Sequence, residues 1–207
     1  DIRPSRGLGM CIRDRISPLQ NIHSEGFYGN FENKTENELL KISELKNLLI
    51  VQIVQYKNSS IKINDIKLNN LQFVNEAQKV VANENLRILW NSPNNWLVVS
   101  KKKELFSEIL KNFNDSDFAV TDLSHSKAII EIEGPNVKEV LKKGCPFNFN
   151  IFSKNMCINS SYNGISFLVD MVEDDPEKAR IFSLRSFGES MYHSITDASL
   201  EYGYKCI

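Results

Sequence analysis

Residues 127–133 alternate between apolar and polar positions, with Ala128, Ile130 and Ile132 on one face and Lys127, Glu131 and Glu133 on the other. A period of two is the mark of a strand half-buried against a core. Ile129 is the one apolar exception on the polar face. Residues 48–56, LLIVQIVQY, are β-branched and apolar on nearly both faces, which predicts a central, buried strand. RILW (87–90) and WLVV (96–99) flank the turn-rich NSPNN, so a hairpin is expected over 86–100. Further strands are expected at 118–123, 165–172 and 179–185, the last two joined by the acidic turn EDDPEK inside a hairpin region spanning 158–185. Residues 65–82 are ambiguous, with helical spacing at Leu68, Leu71 and Val74.

Three segments carry a helical period. Over 102–113, Leu105, Phe106, Ile109, Leu110 and Phe113 mark one face, and Ser100 is placed to cap the start. After residue 133, Gly134 turns the chain and Pro135 suits a first helical position, where its missing N–H costs nothing. Val137, Val140 and Leu141 form that helix's buried stripe, Glu139 and Lys143 an i,i+4 pair, and Gly144 a left-handed cap before Pro146. Over 187–202, Phe187, Met191, Ile195, Ala198 and Tyr202 share a face, Ser186 and Glu189 have capping-box spacing, and Gly203 ends the run. A fourth, short helix is expected at 36–45. Strands interspersed with helices, and joined by hairpins, predict an α+β fold of mostly antiparallel sheets with packed helices rather than a doubly wound parallel sheet.

Residues 1–15, DIRPSRGLGMCIRDR, hold four of the seven arginines in a chain that otherwise prefers lysine, and resemble translated adapter sequence. They are read as a non-native or disordered leader. Residues 16–44 are polar and turn-rich, with Pro18, Gly26 and Gly29, apart from Phe27, Tyr28 and Phe31. A segment so poor in apolar side chains is expected to lie as an arm along a surface. Residues 45–207 form the α+β domain, divisible into subdomains of about 45–123 and 124–207. Phe27, Tyr28 and Phe31 of the arm, together with Trp96 beside its turn, are the candidate partner interface.

Composition narrows the function by exclusion. A formal charge of −1 gives no global attraction to nucleic acid or to an anionic membrane. The most apolar stretch, from Leu48 to Val54, is far shorter than the roughly 20 residues of a membrane span. No signal-peptide pattern is present. Cys11, Cys145, Cys157 and Cys206 form no C-x-x-C, which fits scattered thiols in a reducing cytoplasm. His23, His125 and His193 lie far apart, so no metal site is assigned.

Asp122, Ser124 and His125 are the residue types of a hydrolytic triad. On an extended chain Asp122 and Ser124 share one face and His125 points to the other, so the three cannot converge. No G-x-S-x-G elbow exists to support such a nucleophile. Backbone hydrogen bonding in a tight connection is the better use of Asp122 and Ser124. Cys145 follows Lys142 and Lys143, but it sits past the C-terminus of its helix, where the dipole disfavours a thiolate. KKKE (101–104) reads as the solvated start of a helix, and Trp90 and Trp96 as core or interface aromatics. There is no phosphate-binding G-x-x-x-x-G-K-[ST], and the only G-x-G, Gly7–Leu8–Gly9, follows no strand. No catalytic, cofactor-binding or metal-binding residue is assigned to this chain.

The order DLSHSKAIIEIEGPNVKEVLKKGCPFNF resembles the gamma subunit of heterotetrameric sarcosine oxidase: a D-x-S turn, a strand, G-P, and a helix ending in L-x-x-G-C-[PS]. RILWNSPNNWLVVS is similar to that family's L-G-P-D-E-W-L turn at Pro93, Trp96 and Leu97, and departs from it at Asn91, Ser92, Asn94 and Asn95. FSLRSFGESMYHSITDASLEYG resembles its closing strand and helix, and SPLQ (17–20) its start, so the likeness covers about residues 17–204. The resemblance implies a fold similar to the folate-binding part of glycine-cleavage aminomethyltransferase. It implies a complex with alpha, beta and delta subunits that oxidises the methyl–nitrogen bond of sarcosine and releases formaldehyde or methylene-tetrahydrofolate. FAD, FMN, NAD, tetrahydrofolate and zinc are implied in the partner subunits, with none in this chain. A folate-binding iron–sulfur maintenance protein would show K-G-C-[YF]-x-G-Q-E; Lys143, Gly144 and Cys145 match, and Pro146 to Asn150 do not. A stand-alone folate-binding regulatory protein, a ferredoxin-like ligand-binding domain and a truncated aminomethyltransferase are the other readings.

Overall fold

The structure, a computed structural model, describes residues 17–207; the leader assigned to 1–15 lies outside them. The chain runs β1 (Gly26–Tyr28), β2 (Leu40–Glu44), β3 (Leu49–Gln55), β4 (Lys67–Leu68), β5 (Leu71–Gln72), β6 (Val80–Ala82), β7 (Leu86–Ser92), β8 (Asn95–Ser100), α1 (Leu105–Asn112), β9 (Phe118–Asp122), β10 (Lys127–Glu133), α2 (Val137–Gly144), β11 (Cys157–Tyr162), β12 (Ile165–Asp174), β13 (Glu177–Leu184), α3 (Gly188–Ser199) and β14 (Tyr204–Cys206). One sheet has seven strands in the order β1-β14-β2-β10-β13-β12-β11, and the other five in the order β6-β7-β8-β3-β9. The strand pairs are antiparallel except β14 with β2, which bears out the α+β expectation. The shorter sheet and α1 use residues 49–122, and the longer sheet, α2 and α3 use the chain on either side.

The two sheets face each other, and both faces of each are covered. Ile130, Ile132, Val169, Ile181, Val140 and Ile195 belong to the core between the seven-stranded sheet and α2 and α3. Val51, Ile53, Ile88, Trp96, Val98 and Ile109 form a second core under α1. Ile50, Leu89, Leu97, Ile129, Leu168 and Phe182 form the layer between the sheets. This is why Ile129 breaks the alternation of β10: its face looks not at water but at the other sheet. Sheets covered on both sides read as near-continuous apolar runs, as LLIVQIV and FLVDMV do.

One charged pair sits inside the middle layer. The Arg87 guanidinium on β7 donates Nε to Asp170 Oδ2 on β12 at 2.6 Å and Nη2 to Oδ1 at 2.7 Å. Asp170 has 0% of its side chain exposed and Arg87 11%. A second donation from Nη2 reaches the Met171 carbonyl at 3.3 Å. The pair joins the two sheets beside a backbone clasp, in which Val80 N–H donates to Asn155 O at 2.9 Å and Cys157 N–H to Gln78 O at 2.8 Å.

Several local expectations change. The arm at 16–44 is not an appendage: β2 lies between β14 and β10, and Leu19, Leu40 and Ile42 are each 0% exposed. The short helix expected over 36–45 is a single 3-10 turn, Glu36–Glu38, before β2. The Glu38 carboxylate accepts from Thr35 N–H and Oγ–H at 2.8 and 2.7 Å, which ties the turn off. The ambiguous 65–82 contains no helix longer than a 3-10 turn, and holds the small β4–β5 hairpin and β6.

Helix boundaries shift for similar reasons. The helix expected over 102–113 runs as Leu105–Asn112. Ser100 caps the turn before it, accepting from Lys102 N–H at 3.0 Å and donating to Asn85 O at 2.9 Å. The start of α2 is set by Asn136, at φ 69°, not by Pro135. Gly134, at φ 123°, is needed because a Cβ there would stand 2.7 Å from the Leu39 carbonyl oxygen. Gly144 is the last residue of α2 and not a left-handed cap; a Cβ would meet the Tyr162 ring at 2.5 Å, so glycine is required by packing. Glu139 pairs with Lys142 at 2.6 Å, while Lys143 turns to Glu201 at 2.7 Å. A 3-10 turn, Arg185–Phe187, leads into α3, which carries no side-chain cap from Ser186.

Removing one partner of a buried ion pair strands the other charge. Asp170→Ala is expected to lower the urea-derived unfolding free energy by about 3–5 kcal/mol, whereas the apolar double change Arg87→Met with Asp170→Leu restores most of it. A single variant within about 1 kcal/mol of wild type would show that the pair does not hold the sheets.

Candidate functional site

Among the described residues the chain passes from one sheet to the other twice, at 45–48 and at 123–126, and the two crossings lie side by side. Their backbones are cross-bonded. Leu123 N–H donates to Ile50 O at 2.8 Å, and Leu45 N–H to Ile129 O at 2.9 Å. Ser124 donates its hydroxyl to Asp122 Oδ1 at 2.5 Å, and its N–H reaches the same oxygen at 2.8 Å. Its own oxygen accepts from Ile50 N–H at 3.0 Å. Residues 124–126 form a turn, so Asp122 and Ser124 are brought together and their hydrogen bonds are those of a tight connection, as expected of these residue types between strands. The Ser124 proton points to Asp122 and not to His125, which is exposed, so the relay of a triad is not formed.

Beside the crossings lies a cleft of about 290 Å³, lined by Glu44, Leu48, Phe106, His125 and Lys127 among others. Glu44, 3% exposed, accepts the Ser17 hydroxyl and faces Lys46 at 3.4 Å. Lys127 is half-buried, and burial holds its ammonium pKa below the ordinary lysine value. This lysine was not singled out in the sequence, where it is one of three polar residues on the face of a strand.

The expected interface residues separate. Phe27 and Phe31 are exposed, 44% and 37%, with ring centroids 5.9 Å apart and the Lys205 ammonium over Phe27. Tyr28 turns inward and stacks on Tyr204 at 5.2 Å. Trp96 is 0% exposed and cannot meet a partner: it lies on the α1 side of β8, edge-on to Phe73, with its indole N–H donated to Val74 O at 2.9 Å. The thiols among the described residues are buried. Cys145 faces Ser160 Oγ at 3.3 Å. Cys157 donates to Trp90 O at 3.2 Å, and burial, then the neighbouring Asp170 carboxylate, push its thiol pKa up to about 12. Cys206 meets the Tyr192 hydroxyl at 3.1 Å, and burial raises it too. Among the described residues no helix is long and apolar enough to cross a membrane.

The arrangement of sheets and helices is also found in solved structures of two other proteins. A crystal structure of glycine cleavage system aminomethyltransferase T from Bartonella henselae superposes with a TM-score of 0.60 at 10% identity, over 92% of this chain and 58% of that one. A chain of heterotetrameric sarcosine oxidase from Corynebacterium sp. U-96, solved in complex with pyrrole 2-carboxylate, superposes with a TM-score of 0.75 at 20% identity, over 91% and 96% of the two chains. In sequence, the chain is similar to the sarcosine oxidase subunit gamma of Corynebacterium sp. strain P-1, 28% identical over 122 residues, and of strain U-96, 27% identical over 118. The matched stretches are 58% and 56% of this chain, and the chain spans 59% and 57% of the length of these relatives. No family model matches.

Two measurements follow from the thiol and the serine. The folded chain keeps Cys157 neutral up to about pH 12, while the unfolded chain ionises it from an ordinary pKa of 9.0. The stability this thiol contributes is complete below pH 9 and is lost as pH rises toward 12, by up to about 1.4 kcal/mol per pH unit. Urea midpoints taken from pH 8 to 11 should fall less steeply in Cys157→Ala than in wild type; equal slopes refute the assignment. Ser124→Ala strands the Ile50 N–H and should cost about 1–2 kcal/mol in the same assay, with an unchanged midpoint as the contrary result.

Proposed function

We propose that this chain is a non-catalytic gamma-type subunit of a sarcosine-oxidase-type complex. The complex would oxidatively demethylate sarcosine or a related N-methyl amino acid, giving the demethylated amino acid, formaldehyde or 5,10-methylene-tetrahydrofolate, and hydrogen peroxide. The observation that carries this reading is the sequence similarity to curated gamma subunits, which runs through a chain whose fold follows a chain of a heterotetrameric sarcosine oxidase almost end to end. The polar groups that could have signalled independent chemistry support it: Asp122 and Ser124 are consumed by the crossing, and Cys145 is sealed in the core. On this reading FAD, FMN, NAD, tetrahydrofolate and zinc belong to alpha, beta and delta partners, and the assembly works in the cytoplasm.

The proposed contact surface is the outward face of β1. Phe27 and Phe31 form an exposed aromatic pair on a segment anchored by Leu19, Leu40 and Ile42. Exposed aromatics held on a rigid frame are the usual anchors of an interface. Co-expression with the neighbouring genes should yield a yellow, flavin-bearing assembly that retains this chain. Phe27→Ser with Phe31→Ser, which leaves the core intact, should weaken its association about tenfold or more. A colourless monomer that binds folate by itself would overturn the subunit reading, and undiminished co-purification of the double variant would overturn the contact surface.

A further inference from the structure

The face of β10 that looks toward the five-stranded sheet carries three charged residues, and two are answered across the strand pair. Glu131 stands opposite Arg180 and accepts its Nε at 2.8 Å. Glu133 stands opposite Lys178 and forms an ion pair with it. Lys127, at the head of the strand, stands opposite Leu184. Among the described residues no carboxylate, hydroxyl or carbonyl lies within hydrogen-bond reach of its ammonium, although the side chain is half out of water. A cation withdrawn from solvent without a counter-charge is unfavourable, and proteins seldom keep one except where something binds.

The surroundings of Lys127 bias the cleft toward negative charge. Lys103 and His125 line it as well. The two carboxylates in the lining are engaged, Asp122 by Ser124 and Glu44 by Ser17 and Lys46. Leu48 and Phe106 supply apolar wall.

We propose that this cleft binds a small oxyanion, a carboxylate or phosphate group, with the Lys127 ammonium as its charged partner. A charge-assisted bond forms there in a partly water-excluded site, where it is stronger than on an open surface. The cleft's 290 Å³ holds an anion with a few further heavy atoms, whose body rests on Leu48 and Phe106. Such a ligand touches both crossings, so its binding adds directly to the stability of the sheet pair. The inference does not depend on the subunit reading, because it concerns this chain's own cleft.

The test is thermal unfolding of the purified chain, with whatever subunits accompany it. Sodium acetate and sodium phosphate are titrated in separate arms against sodium chloride at constant ionic strength. A saturable rise of about 3–5 °C is expected at ten times the Kd, and the stronger arm identifies the anion class. Lys127→Met keeps the apolar stem and should abolish the rise, while Lys101→Met, outside the cleft lining, should keep it. Backbone amide shifts on titrating wild type should centre on residues 122–129. No rise with either anion, an equal rise in Lys127→Met, or amide shifts confined to another surface would each overturn the site.

Discussion

Asp170 reaches into the layer between the two sheets with none of its side chain in water, and Arg87 meets it through two short, parallel hydrogen bonds. Desolvating both ions costs several kcal/mol each, and only good geometry with every remaining donor satisfied offsets that. The Met171 carbonyl and the backbone clasp around Val80, Asn155 and Cys157 supply the remaining order. Apolar layers tolerate sliding, because Leu against Phe has no strong directional preference. A bidentate pair does not, so it fixes which residue of β7 stands over which residue of β12. The Cys157 thiol, held neutral beside Asp170, belongs to the same locked region.

Once the sheets are fixed face to face, the chain has to cross between them. It does so twice among the described residues, and both crossings fall at the same end. Crossing backbone leaves the ladders of both sheets, so its N–H and C=O groups need other partners. Asp122 and Ser124 meet that need: one serine oxygen serves Ile50 while the serine itself is tethered by Asp122. The D-x-S motif is thus a device of topology, and the cleft lies beside it. Lys127 is the first residue after the crossing, and its register partner is Leu184, so it lacks the cross-strand counter-charge that answers Glu131 and Glu133.

Much of this was legible in the sequence because the physics was local. Period-two alternation located β10, continuous apolar runs located β3 and β12, and the acidic turn joined β12 to β13. The structural use of Asp122 and Ser124 also followed from the chemistry of a tight connection between strands. What escaped notice was non-local. Arg87 and Asp170 are 83 positions apart, and each looks like a single charge within an apolar run. Gly144 reads as a helix cap because the sequence does not show that the Tyr162 ring will press on its Cα. Trp96 stands beside a turn, where aromatics are often exposed, yet its face of β8 is under α1. Lys127 was visible as a polar position, but its lack of a partner is a property of the register with β13.

The N-terminal segment shows how composition misleads when apolar residues are few but well placed. Between residues 17 and 44 only a handful of side chains are buried, and three of them, Leu19, Leu40 and Ile42, are buried completely in the main core. The rest of the segment is polar because it lies on the surface, and the average hides the anchors. The same logic governs β1 at smaller scale. With a period of two, Tyr28 turns in to stack on Tyr204 while its neighbour Phe27 turns out to solvent. Gly29 then allows the chain to pass against Leu200, where a Cβ would stand 2.3 Å from the carbonyl oxygen, and Phe31 comes round beside Phe27. The exposed aromatic pair is therefore held by the main core on its inner side. A surface mounted in that way has little conformational freedom left to lose, unlike a loose tail.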